Sequence, residues 1–310
     1  MILIKSRVKF RHLHTFVEVA RQKSVVKAAE ILHVSQPAVT KTIRELEEAL
    51  GVAMFERDGR GIRITRYGEV FLRHAGAALT ALRQGVDSVS QELFDSPPPV
   101  RIGALPTVST RVMPRAMTLF LAEKTGSRVK IVTGDNAVLM EQLRVGELDL
   151  VVGRLALPEK MTGLSFEHLY SEQVVFTVRA GHPLLDAKRS IFEGFADYPV
   201  LMPTRGSIIR PSVEQFLIAN GVASLPTQVE TVSDAFGRAF VRSSDAIWII
   251  STGVVAADIE DRVLATLPID TSETRGPVGL TIRADVNPST PLSILMQTIR
   301  QAAAEIMPAR

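Results

Sequence analysis

Apolar residues near the start of the chain recur at intervals of three and four positions, which places them on one face of an α-helix. The first two such series are Leu13, Phe16, Val17 and Ala20, and then Val25, Ala28, Ala29 and Leu32. Gln22 and Lys23 lie between them, followed by Ser24, a residue type that caps the start of helices. The spacing therefore predicts two short amphipathic helices joined by a tight connection.

A third helix is predicted from Ser35, a suitable N-cap, to Gly51, a residue type that ends helices. Its buried stripe is Val39, Ile43, Leu46 and Leu50, and its outward side is Pro37, Lys41, Arg44 and Glu48. Three short helices with a tight turn before the last are typical of a helix-turn-helix, whose final helix enters the major groove. The side chains nearest base edges are then Gln36, Thr40 and Lys41. An ordinary three-helix bundle with a solvated outer face is the alternative.

Two short extended runs follow the third helix and flank the turn Asp58-Gly59-Arg60-Gly61, which predicts a hairpin. Arg57, Arg60 and Arg63 lie within seven positions of one another and suit contact with phosphates or a narrow minor groove. We interpret the hairpin as the wing of a DNA-binding domain. A charged hairpin surface without that role is the alternative.

A single thin apolar stripe continues from residue 66 to about residue 93, again with spacings of three and four. Its members are Leu72, Ala75, Leu79, Leu82, Val86, Val89 and Leu93. A helix of this length spans roughly 42 Å, and one narrow stripe needs a partner to cover it. We expect a coiled coil with a second copy; the alternative is packing against the chain's own second part. The prolines at 97, 98 and 99 end the helix and mark a boundary.

From residue 100 onward, short apolar runs alternate with helical patterns, which indicates parallel sheets flanked by helices. The runs are VRIGAL, VKIVTG, DLVVG, VVFTV, VLM, AIWII and VGLTI. Breaks near residues 154–162 and 267–277 predict that the chain crosses twice between two lobes, with a ligand cleft between them at the strand ends. The polar candidates for an acidic effector in those loops are Thr107, Ser109, Thr133, Asn136, Arg154, Thr204, Arg205 and Ser207. For each one alone, a helix cap or a surface charge is the plainer interpretation.

Composition narrows the function classes further. The chain has no cysteine, which excludes disulfides, thiol nucleophiles and cysteine-ligated metals. Residues 1–86 hold 15 Lys+Arg against 8 Asp+Glu, and the rest hold 21 against 25, so the basic excess lies in the segment predicted to bind DNA. No apolar run reaches membrane-spanning length and no export signal is visible, so a cytoplasmic protein without membrane contact is expected.

Rival functions remain open at this point: an enzyme, a solute-binding module without DNA affinity, and an architectural DNA binder without an effector. No nucleotide-binding glycine motif, nucleophile elbow or zinc motif is present, so we expect no catalytic residue and no cofactor. His12 and His14 point away from each other on the first helix, so no metal site is expected there.

The segment AAEILHVSQPAVTKTIRELEEALGVAMFERDGRGIRITRYGEVFL resembles the winged helix-turn-helix of LysR-type transcriptional regulators, and AGHPL at residues 180–184 extends the resemblance. The resemblance implies a periplasmic-binding-protein-like effector fold. It implies that Gln36, Pro37, Ala38, Thr40 and Lys41 face bases or nearby phosphates, with Arg57 at the wing. Within the family the likeness is strongest to activators of protocatechuate-degradation operons, which implies protocatechuate or its ring-cleavage product carboxymuconate as effector.

We therefore expect an α/β protein with a winged helix-turn-helix at residues 1–65, a dimerising linker helix at 66–95 and an effector-binding domain at 96–310. Lobe I is expected at about 99–160 and 275–310, and lobe II at about 161–274. The expected partners are double-stranded promoter DNA, a small aromatic-derived carboxylate, RNA polymerase, and further copies of the chain in a homodimer or homotetramer. The expected DNA-binding residues are Ser35, Gln36, Pro37, Ala38, Thr40, Lys41, Arg44, Arg57, Arg60 and Arg63.

Overall fold

The computed structural model describes residues 8–59, 61–94, 99–186, 190–222, 224–284 and 286–306. Its first unit, which we call the head, is three helices followed by an antiparallel hairpin. The helices are α1 (Phe10–Gln22), α2 (Val25–Ile31) and α3 (Gln36–Leu50), and the strands are β1 (Phe55–Asp58) and β2 (Gly61–Ile64). These are the elements that the hydrophobic spacing and turn residues predict.

Capping residues fix the ends of the second and third helices. The Ser24 side chain accepts a hydrogen bond of 3.3 Å from the N–H of Lys27, and the Ser35 side chain accepts one of 3.4 Å from the N–H of Ala38. Gly51 ends α3 in the left-handed conformation, with a φ of 74°. Both predicted N-caps are confirmed, so the start of α3 is set by local sequence.

The buried stripe of α3 is one turn shorter than predicted. Val39, Ile43 and Leu46 are buried in the head's core, but Leu50 is 38% exposed. The helix ends at Leu50, and Met54, which follows the turn, joins the core instead. The expectation that Leu50 is buried is therefore wrong.

The long helix α4 (Arg66–Phe94) divides its apolar stripe between two surroundings. Leu72 and Ala75 are buried in the head's core, together with Val145 from the second part of the chain. Leu82, Val86 and Val89 are 51%, 58% and 60% exposed. The prediction of one continuous intermolecular seam is thus wrong for the first half of the helix, where the chain covers its own stripe. The side chain of Leu93, and Pro97 and Pro98, lie outside the described residues.

A close approach between backbone segments lets α4 lie against the second part of the chain. A Cβ on Gly76 would collide with the carbonyl oxygen of Arg144. A Cβ on Gly146 would collide with Oγ1 of Thr80, and Gly146 also has a φ of 74°. Glycine is required at both positions because no larger residue fits the gap.

Two five-stranded sheets with separate cores form the rest of the molecule. The first sheet contains, in spatial order, β4 (Val129–Thr133), β3 (Val100–Ala104), β5 (Leu150–Arg154), β12 (Gly276–Arg283) and β6 (Leu164–Glu172). The second contains β11 (Leu264–Thr266), β7 (Val174–Arg179), β10 (Ile247–Ser251), β8 (Val200–Met202) and β9 (Gln228–Glu230). We call the sheets and their helices the first lobe and the second lobe.

The helices of the two lobes alternate with these strands. The first lobe carries α5 (Pro106–Arg111), α6 (Met113–Ala122), α7 (Asn136–Arg144) and α12 (Thr290–Ile306). The second lobe carries α8 (Ile191–Gly194), α9 (Arg210–Ala219), α10 (Asp234–Arg242) and α11 (Thr252–Glu260). None of the helices over the described ranges is long and apolar enough to span a membrane.

Two expectations about the lobes need correction. The sheets are mixed rather than parallel: β12 runs antiparallel to β5 and β6, and β7 runs antiparallel to β10 and β11. The strand β6 was expected in lobe II (161–274) but pairs with β12 in the first sheet, so the first crossing follows Glu172 rather than residues 154–162. Both antiparallel strands, β7 and β12, directly follow the two crossings.

Candidate functional site

The exposed side of α3 is the first candidate site. Ser35, Gln36, Pro37, Ala38, Lys41 and Arg44 are exposed, and Thr40 is partly exposed. Val39 and Leu46 hold the opposite side against the core. The structure thus brings the residues predicted on this helix onto one continuous outer surface, and their contact with bases stays a prediction.

Two glutamates on α3 position that surface. Oε2 of Glu45 lies 3.2 Å from Nε2 of His12 and 2.8 Å from a guanidinium nitrogen of Arg11, so it ties α3 to α1. The hydrogen bond with His12, followed by that from Arg11, lowers the pKa of the Glu45 carboxyl. Oε1 of Glu47 accepts a hydrogen bond of 2.7 Å from the N–H of Met54, which fixes the approach to the hairpin. Sequence reasoning missed both residues, because helical periodicity does not show which partner a polar residue meets.

The hairpin presents the other predicted basic residues. Arg57 and Arg63 are both exposed, whereas Arg60 lies outside the described residues. Arg63 forms an ion pair of 2.6 Å with Glu56, its neighbour across the hairpin. An exposed pair of this kind contributes at most about 1 kcal/mol, so Arg63 can exchange Glu56 for a phosphate at little cost.

The second candidate site is a cleft between the lobes, at the carboxyl ends of strands in both sheets. Its cavity volume is about 50 Å³, far below the several hundred Å³ typical of a site that holds a small molecule. A molecule of ordinary ligand size would fit this cleft only if the lobes moved apart. The lining residues are Leu105, Pro106, Gly134, Asp135, Asn136, Pro203, Ser207, Ile208, Thr231, Val232, Ser233, Asp234, Trp248 and Ile250.

Only part of the predicted effector set lines this cleft. Asn136 and Ser207 do, and Oγ1 of Thr204 lies 3.2 Å from Oδ1 of Asp135, joining the two lobes beside it. Thr133 and Arg205 are exposed, Ser109 is partly exposed, and none of the three lines the cavity.

Two residues predicted to bind the effector instead form hydrogen bonds with residues where the chain crosses between the lobes. Arg154 is buried and donates hydrogen bonds to the carbonyl oxygens of Glu172 at 2.7 Å and Thr274 at 3.1 Å. The Thr107 hydroxyl is buried and donates to the Glu172 carboxylate. We therefore correct the expectation that Arg154 and Thr107 face an effector: they fasten the two chain segments that join the lobes.

Glu172 lies at the centre of a cluster of residues where the chain crosses between the lobes. The cluster consists of Thr107, Arg154, Glu172, Gly253 and Thr274. Its Oε2 accepts a hydrogen bond of 3.2 Å from the N–H of Gly253 in the second lobe, while Thr107 in the first lobe donates to Oε1. Burial raises the pKa of the Glu172 carboxyl, and the Thr107 hydrogen bond and Arg154 oppose that shift. One carboxylate thus bridges both lobes.

The charges in the cleft are opposite to those expected. Asp135 and Asp234 are its only charged lining residues among those described, and neither predicted cation, Arg154 or Arg205, is in the lining. Trp248, Ile208 and Ile250 supply apolar walls. These lining residues were missed because their convergence depends on how the lobes pack, which no local motif records.

A contact between the head and the first lobe lies outside both sites. Arg21 of α1 is held by Glu18 at 2.7 Å and by Glu147, which follows α7, at 2.6 Å. Across the described parts of the chain, no three His, Asp or Glu side chains are grouped so that they could hold a metal ion.

Family models match both parts of the chain. The model described as "Bacterial regulatory helix-turn-helix protein, lysR family" matches residues 10–69, and "LysR substrate binding domain" matches residues 96–304. The first match covers the exposed side of α3 and the hairpin, and the second covers both lobes and the cleft.

Curated relatives are similar over nearly the whole length. The chain is 73% identical over 308 residues to the HTH-type transcriptional regulator PcaQ of Agrobacterium fabrum, covering 99% of each. It is 32% identical to the uncharacterized HTH-type transcriptional regulator YdcI of Escherichia coli, covering 97% of each. Among solved structures, a full-length OxyR variant from Pseudomonas aeruginosa has a similar fold, with a TM-score of 0.58, 24% identity and coverage of 96% of this chain and 95% of that one.

Proposed function

Because the chain belongs to the LysR family of transcriptional regulators, we propose that it activates an operon for degradation of an aromatic acid, protocatechuate, in response to a small carboxylate effector. It is a DNA-binding regulator and not an enzyme. The single observation that carries the proposal is the 73% identity to the regulator PcaQ across 99% of both chains.

For DNA, we propose that α3 enters the major groove and the hairpin contacts phosphates. The residues proposed to face bases are Ser35, Gln36, Pro37, Ala38 and Lys41, which are exposed, and Thr40, which is partly exposed. Arg44, Arg57 and Arg63, which are also exposed, are proposed to contact DNA phosphates, as is Arg60, which lies outside the described residues. The domain division that fits this role is residues 1–65, 66–95 and 96–310, with β6 now in the first lobe. We propose a cytoplasmic location as well, because a regulator that binds promoter DNA must reach the chromosome.

For the effector, we propose the cleft between the lobes. Protocatechuate and carboxymuconate are both carboxylates, and the N-terminal ends of α7 and α10 border the cavity through Asn136 and Asp234. Free N–H groups at such ends attract anions. Asn136 and Ser207 supply neutral hydrogen-bonding groups from opposite lobes.

For regulation, we propose that effector binding changes the orientation of the lobes and with it the packing of subunits. The exposed half of α4, at Leu82, Val86 and Val89, is the surface through which a homodimer or homotetramer assembles. An effector changes the spacing of the heads only if it binds one arrangement more tightly than the other. As an activator, the protein would contact RNA polymerase at the promoter.

The test is footprinting of the full chain on the promoter region beside its gene, with and without protocatechuate or carboxymuconate. We expect the effector to change the length of the footprint or the bend of the DNA. Ser207→Ala and Arg205→Ala form a matched pair, because Ser207 lines the cavity and Arg205 does not. We expect Ser207→Ala to weaken the response more. If neither compound changes the length of the footprint or the bend of the DNA, the proposed pathway is contradicted.

A further inference from the structure

The cleft poses an electrostatic problem for an acidic effector. Its charged lining residues, within the described parts of the chain, are Asp135 and Asp234, and the lining includes no lysine, arginine or histidine. A carboxylate that enters a narrow cavity beside an ionised carboxylate is repelled strongly, because little water remains to screen the charges. The protein needs a way to remove one negative charge when the effector binds.

Asp135 and Asp234 differ in their partners. Oδ1 of Asp135 lies 3.2 Å from the Thr204 hydroxyl, which satisfies that oxygen across the lobes. Over the described residues, the structure shows no hydrogen bond to the Asp234 carboxyl. Asp234 is the first residue of α10, and its cap is made by Ser233, whose side chain accepts a hydrogen bond from the N–H of Phe236. The Asp234 carboxyl is therefore free to interact with a ligand in the cavity.

Among the described residues, the one cation that acts on Asp234 is already paired. Arg238, one turn further along α10, donates hydrogen bonds to both carboxylate oxygens of Asp258 on α11, at 2.8 and 3.1 Å. Trp248 of β10 forms part of the same cavity wall, and Asp135 faces the cavity from the start of α7. Burial raises the pKa of Asp234 to about 6, and Arg238 opposes the shift. Asp234 is thus ionised at neutral pH but close to taking up a proton.

We propose that Asp234 is a specificity-determining residue of the cleft, which takes up a proton from solvent when a carboxylate effector binds and donates a hydrogen bond to it. The O–H bond forms on the Asp234 carboxyl, and the effector's carboxylate oxygen accepts the hydrogen bond. A protonated carboxyl is a donor, whereas an ionised one is only an acceptor. This inference rests on the proposed effector function and identifies the side chain that makes binding of a carboxylate in the cleft depend on pH.

The proposal predicts binding that tightens as the pH falls. The effector's own carboxyls have ordinary pKa values near 4 and stay ionised between pH 6 and 8. If the complex takes up one proton, affinity changes about tenfold per pH unit above the pKa of the free Asp234. From pH 8 to pH 6 we expect affinity to rise by up to about 50-fold.

The experiment is calorimetric titration of the full chain with protocatechuate and carboxymuconate at pH 6, 7 and 8, in buffers of different ionisation enthalpy. We expect uptake of close to one proton per effector molecule bound at pH 8. The methyl ester of protocatechuate, which lacks the carboxylate, is the control ligand and should bind without proton uptake.

Two variants separate Asp234 from general charge effects. Asp234→Asn keeps a hydrogen-bond donor without a titrating group, so we expect affinity that stays within about twofold from pH 6 to 8. Asp135→Asn removes a negative charge from the same cavity but should keep the wild-type pH slope. The thermal melting temperature and the affinity for promoter DNA of each variant confirm that it is folded.

The outcomes distinguish the two proposals. If the wild type binds a carboxylate effector with no proton uptake, or if Asp234→Asn keeps the wild-type slope, the role of Asp234 is wrong and the effector function stands. Binding that weakens as pH falls would show that an ionised Asp234 accepts from effector hydroxyls instead, which also overturns the inference. If neither carboxylate binds the wild type at any pH, the proposed effector function itself is wrong.

Discussion

Arg21 and Glu147 join the head to the first lobe through an ion pair of 2.6 Å, across 126 positions of sequence. Arg21 belongs to α1, which packs directly on the back of α3, and Glu147 follows α7, whose first residue lines the cleft. The pair therefore lies on a short path of packed elements between the effector cleft and the surface proposed to read DNA. Several measurable consequences depend on this and the other contacts described above.

Breaking this pair should reduce communication between the lobes and the head. We expect Glu147→Gln to lower the effector-induced change in DNA affinity by about two- to fivefold, because partly exposed ion pairs contribute up to about 1 kcal/mol. Effector affinity should stay the same. Glu167→Gln is the matched control, since Glu167 pairs with Arg300 at the same 2.6 Å entirely within the first lobe. Equal effects of the two variants would argue against a role in communication.

Gln36 should contribute to specific recognition of DNA. Its side chain is exposed at the start of α3 and can form a bidentate pair with adenine. We expect Gln36→Ala to weaken binding to the promoter by about 1–3 kcal/mol and to leave binding to random duplexes nearly unchanged. Competition gel shifts with both duplexes measure this. An equal loss on random DNA would indicate a phosphate contact or a folding defect.

The two halves of the α4 stripe should respond differently to substitution. Val86→Glu places a charge on the exposed half, and we expect the oligomer to dissociate while the subunit keeps its melting temperature. Leu72→Ala opens a cavity in the head and should lower the free energy of unfolding by about 2–5 kcal/mol. Sedimentation equilibrium and denaturant unfolding measure the two effects. Ala81→Glu, an exposed change off the stripe, is the control and should leave the oligomer intact.

Glu172 should make stability depend on pH. Its pKa is raised in the folded state, so the folded protein binds more protons than the unfolded one over the interval between the two pKa values. The contribution of Glu172 to stability is therefore fully present below its unfolded pKa and falls as the pH rises through the folded pKa. We expect the melting temperature of Glu172→Gln to fall less than that of the wild type between pH 4.5 and 7.5.

The control for this experiment is Glu305→Gln. The hydrogen bond from Arg115 lowers the pKa of the exposed Glu305, so its removal should leave the slope above pH 4.5 unchanged. A variant at Glu172 with the wild-type slope would show that other carboxyls dominate. Glu172→Ala should also cost about 1–3 kcal/mol, because it leaves the Gly253 N–H and the Thr107 hydroxyl without their acceptor.

The head was predictable because its determinants are local. Ser24 and Ser35 cap helices a few residues away, and Gly51 ends α3 by its own conformational freedom. The periodicity of Val39, Ile43 and Leu46 identifies the buried side without any knowledge of what covers it. For the same reason, periodicity could not predict which half of the α4 stripe is buried. Buried and exposed residues of the stripe recur at the same spacing.

The cleft was less predictable because its residues converge over long distances. Arg154 is the last residue of β5, where a ligand-binding cation could lie, but its partner Thr274 lies 120 positions away in the return crossing. The strand β6 was missed because it lies at a sheet edge, where its exposed positions carry polar residues. Asp135 and Asp234 look like ordinary residues at helix starts until the lobes bring them to one cavity.

The close contacts at Gly76 and Gly146 make the first lobe the point about which α4 can tilt. Gly76 lies 18 residues, or about 27 Å, from the end of α4, so a tilt of about 5° at this contact moves that end by ~2 Å. That displacement is more than half of the rise of about 3.4 Å per base pair along DNA. If α3 reads DNA as proposed, a rearrangement too small to disturb either core would change which bases it faces.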